Sequence, residues 1–144
     1  MSKSPSLEQV IEVASAMMAR VEAQAYSDER FSELTLRQIL YLTRIIEGGG
    51  LTPGALADSL GVTPPTVTGV VGGLVSRGYV ERTKDTTDRR VVHLVATKKA
   101  QAFDRLHHEI HRRMAAVMAG NLSEKECAQL ARLLDKALSG LSSE

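Results

Sequence analysis

The segment from Leu51 to Thr97, LTPGALADSLGVTPPTVTGVVGGLVSRGYVERTKDTTDRRVVHLVAT, sets the strongest constraint on the fold, because it strings two capped helices and a β-hairpin together in 47 residues. Thr52 followed by Pro53 is an N-cap with proline at the first helical position, where a backbone donor is not needed, and Gly61 ends that helix. Thr63 opens the next helix. Pro64 and Pro65 fill its first positions, although Pro65 disfavours helical dihedrals at Pro64 and allows the start to slip by one or two residues. From there Val67, Val70, Val71, Leu74 and Val75 recur at helical spacing up to Gly78, while Thr66, Thr68, Gly69, Gly72, Gly73 and Ser76 fall outside the apolar stripe.

After Gly78 the period becomes extended. Tyr79 to Thr83 and Val91 to Ala96 are rich in β-formers and are joined by the polar Lys84 to Arg90, which predicts a hairpin. Between Arg77 and Lys99 stand seven basic residues (Arg77, Arg82, Lys84, Arg89, Arg90, Lys98, Lys99) against three acidic ones (Glu81, Asp85, Asp88). That local excess is the footprint phosphate contacts require, even though the whole chain has a formal net charge of only +1. Two helices, a turn and a basic hairpin make a winged helix-turn-helix.

The flanks read as helices. Ser6-Leu7-Glu8-Gln9 and Thr35-Leu36-Arg37-Gln38 are capping boxes ahead of amphipathic runs, the second stopped by Gly48-Gly49-Gly50. Thr97 is placed to cap a long helix carrying Phe103, Leu106, Ile110, Met114, Val117 and Met118, and Ser123 to Glu126 is a last box before Leu130, Leu133, Leu134 and Leu138. The fold class expected is mainly α with a small β-hairpin wing (α+β), in one domain over residues 1–144. Within it, 34–97 form the DNA-binding lobe, and 6–30 with 98–141 form helices whose apolar stripes exceed what one lobe needs. A homodimer accounts for them, since two recognition helices on one duplex face need a spacing of about 34 Å.

A chain of 144 residues suits a single domain. Its one cysteine, Cys127, excludes an internal disulfide, fits a reducing compartment, and is expected to be a small packing residue. No apolar run reaches the roughly 18 residues of a membrane span, and Met1 to Ser6 lead into an amphipathic helix rather than a signal peptide, so a cytoplasmic location is expected. With no tryptophan and 3% aromatic residues, stacking of single-stranded bases is disfavoured and double-stranded DNA favoured. No phosphate-cradling loop, nucleophile triad or paired carboxylates point to an enzyme, and no cofactor is implied.

The order of parts resembles the MarR family of dimeric transcriptional regulators. The resemblance is carried by Leu60-Gly61-Val62-Thr63-Pro64-Pro65-Thr66-Val67-Thr68, by Leu74-Val75-Ser76-Arg77-Gly78-Tyr79-Val80-Glu81-Arg82, and by Asp88-Arg89-Arg90 ahead of Leu94-Val95-Ala96-Thr97. It implies a homodimer whose recognition helix enters the major groove and whose wing arginine reaches the minor groove, in a repressor released by a small organic effector. By position the recognition helix is Thr63 to Arg77, with Thr63, Pro64, Thr66, Thr68 and Gly69 at the duplex, and the wing residues are Asp88 and Arg90, the acid orienting the arginine. Arg77, Arg82, Lys84 and Arg89 are further contacts. Tyr26, Arg37, Tyr41 and His107 are weak effector candidates.

Two features depart from the family pattern. No Lys or Arg occurs from Ile45 through Ser76, and Thr86-Thr87 stand where a wing arginine is common. Three glycines in one helix cost on the order of 2–3 kcal/mol relative to alanine. Close approach of the backbone to DNA would explain them, with Thr66 and Thr68 touching phosphate or a thymine methyl. The alternative function is a winged-helix dimer that has lost DNA reading and serves as a protein-interaction or ligand-binding module. Asp104, His107 or His108, and His111 lie about a turn apart and could offer metal ligands, but exposed histidines at this spacing are ordinary and no metal is expected. His93 is expected to be a packing or surface residue. Met17, Met18, Met114 and Met118 could line an adaptable pocket, but at helical spacing they are expected to fill a core.

Overall fold

The computed structural model describes residues 4–25 and 33–140. Six helices and one hairpin follow in order: α1 (Leu7–Ala25), α2 (Leu36–Gly48), α3 (Pro53–Leu60), α4 (Pro64–Ser76), β1 (Val80–Lys84), β2 (Val92–Ala96), α5 (Lys98–Ala119) and α6 (Glu124–Leu138). The contacts divide the chain into two units, one of residues up to Gln24 with Glu109 onward, the other from Ala25 to His108.

In the second unit, the helix boundaries come from local chemistry. Thr35 accepts from the Gln38 amide while the Gln38 side chain returns to the Thr35 amide, a complete capping box for α2. Thr52 caps α3 at Ala55 with Pro53 behind it. At the end of α3, Gly61 takes φ +63° and its amide bonds the Asp58 carbonyl, while Val62 reaches back to Ala57. The end of α4 repeats the pattern at Gly78, φ +77°, with Gly78 bonded to Val75 and Tyr79 to Leu74. Both are Schellman stops, which need a left-handed residue that glycine adopts without a Cβ penalty.

The core of this unit is built from Leu42 and Ile45 of α2, Leu56 of α3, Val67, Val71 and Leu74 of α4, Tyr79 and Val80 leading into β1, and Leu94 of β2. Ala100 and Phe103 join the same cluster, so the lobe's core runs past Thr97, the limit expected from the sequence, into the first half of α5. The Tyr79 and Phe103 rings meet edge to face at 6.2 Å. The strands pair antiparallel, Val80 opposite Ala96 through Lys84 opposite Val92. Each starts one residue later than the sequence pattern suggests, because Tyr79 is taken by the α4 stop and Val91 closes the hairpin loop with Asp88, and β1 runs on to Lys84, which the pattern gave to the loop. Leu51 adds a bridge to Leu94, whose amide donates to the Leu51 carbonyl at 2.7 Å.

The first unit holds α1, the second half of α5, and α6. Gln9 and Ser6 exchange bonds at the start of α1, and Ser123 and Glu126 do the same for α6. Here the packing is thin. Neither α1 nor α6 has a buried residue, and α5 contributes only Ile110 and Met114. Leu7, Val10, Ile11 and Val13 of α1 and Leu133, Leu134 and Leu138 of α6 are exposed. Pro5, Val10, Val13, Met17, Met114 and Met118 line an open apolar cleft of about 580 Å³. The methionines Met114 and Met118 therefore border a cavity, and Met114 is also buried. No described helix is long and apolar enough to cross a membrane.

Candidate nucleic-acid interface

The start of α4 is Pro64, with no slip. Its N-terminus differs from most, because Pro64 and Pro65 have no N–H and the Thr66 and Val67 amides both bond to the Thr63 carbonyl. Thr63 has N-cap dihedrals but makes no side-chain cap; its hydroxyl pairs with that of Thr66 at 2.9 Å. The usual fan of amides that makes a helix start an anion site is thus almost spent. Thr68 is exposed, and its hydroxyl donates to the Pro64 carbonyl at 3.1 Å.

The three glycines of α4 do different work. A Cβ at Gly69 or Gly72 would meet nothing within 4 Å, so that surface is open and not packed against the protein's own body. Gly73 is different: a Cβ there would come within 2.8 Å of the Gln38 amide nitrogen of α2. The sequence placed all three on one outward face, and the structure takes Gly73 out of it. α2 lies against α4 at that point, and Gln38 is held by its own capping box.

Arg77 is the C-cap of α4 and is exposed, and its carbonyl accepts from Lys99 Nζ at 2.9 Å. Lys99 also pairs with Glu33 at 2.9 Å and sits 4.3 Å over the Tyr79 ring. Thr97 donates to the Gly78 carbonyl at 2.7 Å while its oxygen accepts the Ala100 amide, so one hydroxyl ties the end of α4 to the start of α5. The hydrogen bond from Lys99 holds the Glu33 carboxyl below its ordinary pKa, and burial, followed by its bond to Glu33, pushes the Tyr79 hydroxyl up to about 12. Thr97 and Lys99 therefore secure the far end of α4.

Arg82 and Lys84 are exposed on β1, and Arg82 and Thr68 border an open crevice of about 330 Å³ between α4 and the hairpin. In the hairpin loop, Asp85 Oδ1 accepts the amides of Thr87 at 2.7 Å and Asp88 at 3.1 Å. Asp88 then takes Arg90 three ways: its backbone amide and Nε on Oδ1 at 3.0 and 3.1 Å, and Nη2 on Oδ2 at 3.0 Å. This fork is the orientation expected of the pair. The Arg90 side chain is nevertheless 89% exposed, so a solvated guanidinium is held in a set direction. The arginine side chain first, and its amide second, hold the Asp88 carboxyl low, and Asp88 raises Arg90 in return. Arg89 is exposed beside it.

His93, expected to be a packing or surface residue, instead bridges Asp85 Oδ2 at 3.0 Å and the Gly50 carbonyl at 2.9 Å. Sequence reasoning missed it and Lys99 as structural ties, since their partners lie far along the chain. Of the effector candidates, Tyr26 lies outside the described residues, Arg37 is exposed in the first turn of α2, Tyr41 is a core residue at 3% exposure, and His107 stacks on Phe103 at 6.0 Å. His108 approaches Asp104 at 3.5 Å, and His111 is exposed. Among the described residues no three of His, Cys, Asp and Glu converge as a metal ion would require. Cys127 is half-buried in α6.

The profile of the MarR family matches residues 34–92, which take in α2 through the start of β2. Over 112 residues the chain is 31% identical to the transcriptional repressor MprA of Escherichia coli, covering 74% of this chain and 61% of that protein. The structure superposes on Streptococcus pneumoniae FabT in complex with DNA with a TM-score of 0.76, at 29% identity over 93% of each chain. Residues 34–92 are a MarR-family domain. Reduced Escherichia coli MarR matches with a TM-score of 0.65 at 26% identity, over 95% of this chain and 99% of that one. A transcriptional regulator of Mycobacterium tuberculosis is 38% identical over 71 residues, and the chain spans about half (49%) of the length of that relative. MarR-type architecture thus covers both the helix–hairpin lobe and the helices that flank it.

Proposed function

We propose that this chain is a dimeric, sequence-specific transcriptional regulator that binds double-stranded DNA and acts as a repressor released by a small organic effector. The observation that carries the reading is Arg90: a nearly fully solvated guanidinium, forked onto Asp88 at the tip of a basic hairpin beside an open, uncharged helix face. An arginine held this way has its direction set before DNA arrives, and a narrow minor groove concentrates the negative potential that attracts it. FabT, which shares the fold, has a crystal structure in complex with DNA.

In this reading α4 lies in the major groove. Gly69 and Gly72 let its backbone come close, while Thr63, Pro64, Thr66 and Thr68 make the contact surface. The Thr68 hydroxyl is spent on Pro64, which leaves the methyl as the group for a thymine methyl. With the helix start nearly stripped of free amides, phosphate binding falls to Arg77, Arg82, Lys84, Arg89 and Arg90. Residues 34–97, extended through Phe103, form the DNA-binding lobe, and the helices within 6–30 and 98–141 carry self-association. The first unit supports a second copy: its three amphipathic helices, with two buried side chains, leave apolar stripes that a partner would cover. For the effector, Arg37 is the exposed candidate, His107 is half-buried against Phe103, and Tyr41 is reached only if the core opens.

The test is fluorescence anisotropy with DNA flanking the protein's own gene and an unrelated duplex of equal length at moderate salt. The flanking DNA is expected to bind far more tightly, with Arg90→Ala weakening it by roughly tenfold or more and Arg89→Ala by less. Equal, weak binding to both duplexes would overturn the proposal.

A further inference from the structure

His93 of β2 stands between two oxygens. Nδ1 is 2.9 Å from the Gly50 carbonyl, in the turn after α2, and Nε2 is 3.0 Å from Asp85 Oδ2, at the start of the hairpin loop. A backbone carbonyl can only accept. Asp85 is an acceptor as well, because its other oxygen already takes the Thr87 and Asp88 amides. A neutral imidazole has one N–H and one lone pair, so it would satisfy one oxygen and point a lone pair at the other. An imidazolium donates to both.

We propose that His93, charged, is a positioning residue for DNA binding: it pins the loop bearing Arg89 and Arg90 to the turn after α2, and DNA affinity falls when it loses its proton. The tie joins two parts of one compact unit that lie 43 positions apart in the sequence, beside the Leu51–Leu94 bridge. Asp85 is the hinge of the arrangement. One of its oxygens shapes the loop that leads to the Asp88–Arg90 fork, and the other holds His93.

The groups facing His93 from each neighbouring element are few. Across the ladder from β1 it meets Thr83, while Arg82 and Lys84 stand opposite Leu94 and Val92 on the alternate face. α2 ends with Arg44 and Glu47, which pair with each other at 3.3 Å, and α3 carries the exposed Asp58. Within the loop Asp88 is taken by Arg90. Among the described residues the charged side chain paired with His93 is Asp85, each about one-third exposed (31% and 33%). In accord with this geometry, Asp85 first and the Gly50 carbonyl second raise the imidazole above its ordinary 6.5. The Asp85 carboxyl is held low by the Thr87 amide and then by His93. The sign follows. The tie is complete below the ordinary histidine range and fails as pH rises through the raised value; on the acid side it holds until pH falls through the lowered Asp85 value.

This rests on the DNA-binding reading above, and two measurements on the full chain separate them. The first is NMR titration of the His93 ring and of the Thr87 and Asp88 amides without DNA. The second is operator affinity from about pH 6 to about pH 9 for wild type, His93→Gln and Asp85→Asn. We expect the ring to titrate above 6.5 with both amides shifting in step, and wild-type affinity to fall about fivefold across the range. His93→Gln should bind like the high-pH wild type, with that dependence gone. Asp85→Asn should lower the ring's titration point and move the affinity change to lower pH with it. A ring titrating at or below 6.5, or a His93→Gln protein with the wild-type profile, overturns the proposal. If wild type bound no DNA at any pH while ring and amides titrated as expected, the DNA-binding reading and His93's part in it would fall, and the tie itself would stand.

Discussion

Gly69 and Gly72 are the residues where folding and the proposed function part. A methyl group at either would meet nothing within 4 Å, so alanine should stabilise α4 by about 1 kcal/mol per site through backbone entropy alone. In the proposed complex the same methyl stands between helix and duplex. Gly69→Ala and Gly72→Ala are therefore expected to raise the midpoint of urea unfolding and to weaken operator binding several-fold. A gain in stability with unchanged affinity would mean that the backbone does not approach DNA at these positions. Gly73 is the internal contrast: its Cβ would press the Gln38 side chain, so Gly73→Ala should stabilise less than the other two. No signal in the sequence separates Gly73 from its neighbours, because what distinguishes it is a side chain 35 positions away on another helix.

At the scale of elements, the N-termini of the helices make a graded set. Thr35 and Thr52 each accept the amide three residues on, whereas Thr63 makes no side-chain cap: Pro65 has no amide, the Thr66 amide bonds to the Thr63 carbonyl, and the Thr63 hydroxyl pairs with that of Thr66. Thr35→Ala and Thr52→Ala are each expected to cost about 1 kcal/mol in chemical denaturation, and Thr63→Ala markedly less. Equal losses at all three would contradict this reading of α4. These starts and stops were legible in the sequence, since a cap, a proline and a left-handed glycine act within four residues of one another. The hairpin was legible from its change of period, and its tip from Asp88 and Arg90, two residues apart. What was not legible depends on distant partners. Leu51 bridging to Leu94, His93 reaching Gly50 and Lys99 reaching Glu33 join positions 43 to 66 residues apart, and nothing local distinguishes them from ordinary surface or strand residues. The share of α5 in this core was not legible for the same reason: Ala100 and Phe103 look like one amphipathic stripe with the rest of α5, although they are buried with α2, α4 and the strands.

At the scale of the whole molecule, the exposed apolar stripes of α1 and α6 are the surface on which the proposed dimer would form. Pairing two lobes doubles every phosphate contact, so the strength of binding must depend steeply on salt. The most direct measurement is the slope of log affinity against log salt for the wild-type protein and for Arg90→Ala on the same operator duplex, at a stoichiometry of two chains per duplex. Each lost arginine contact lowers the slope by about 0.9, so the account predicts a decrease of about two for the dimer together with weaker binding. An unchanged slope, or saturation at one chain per duplex, would contradict it.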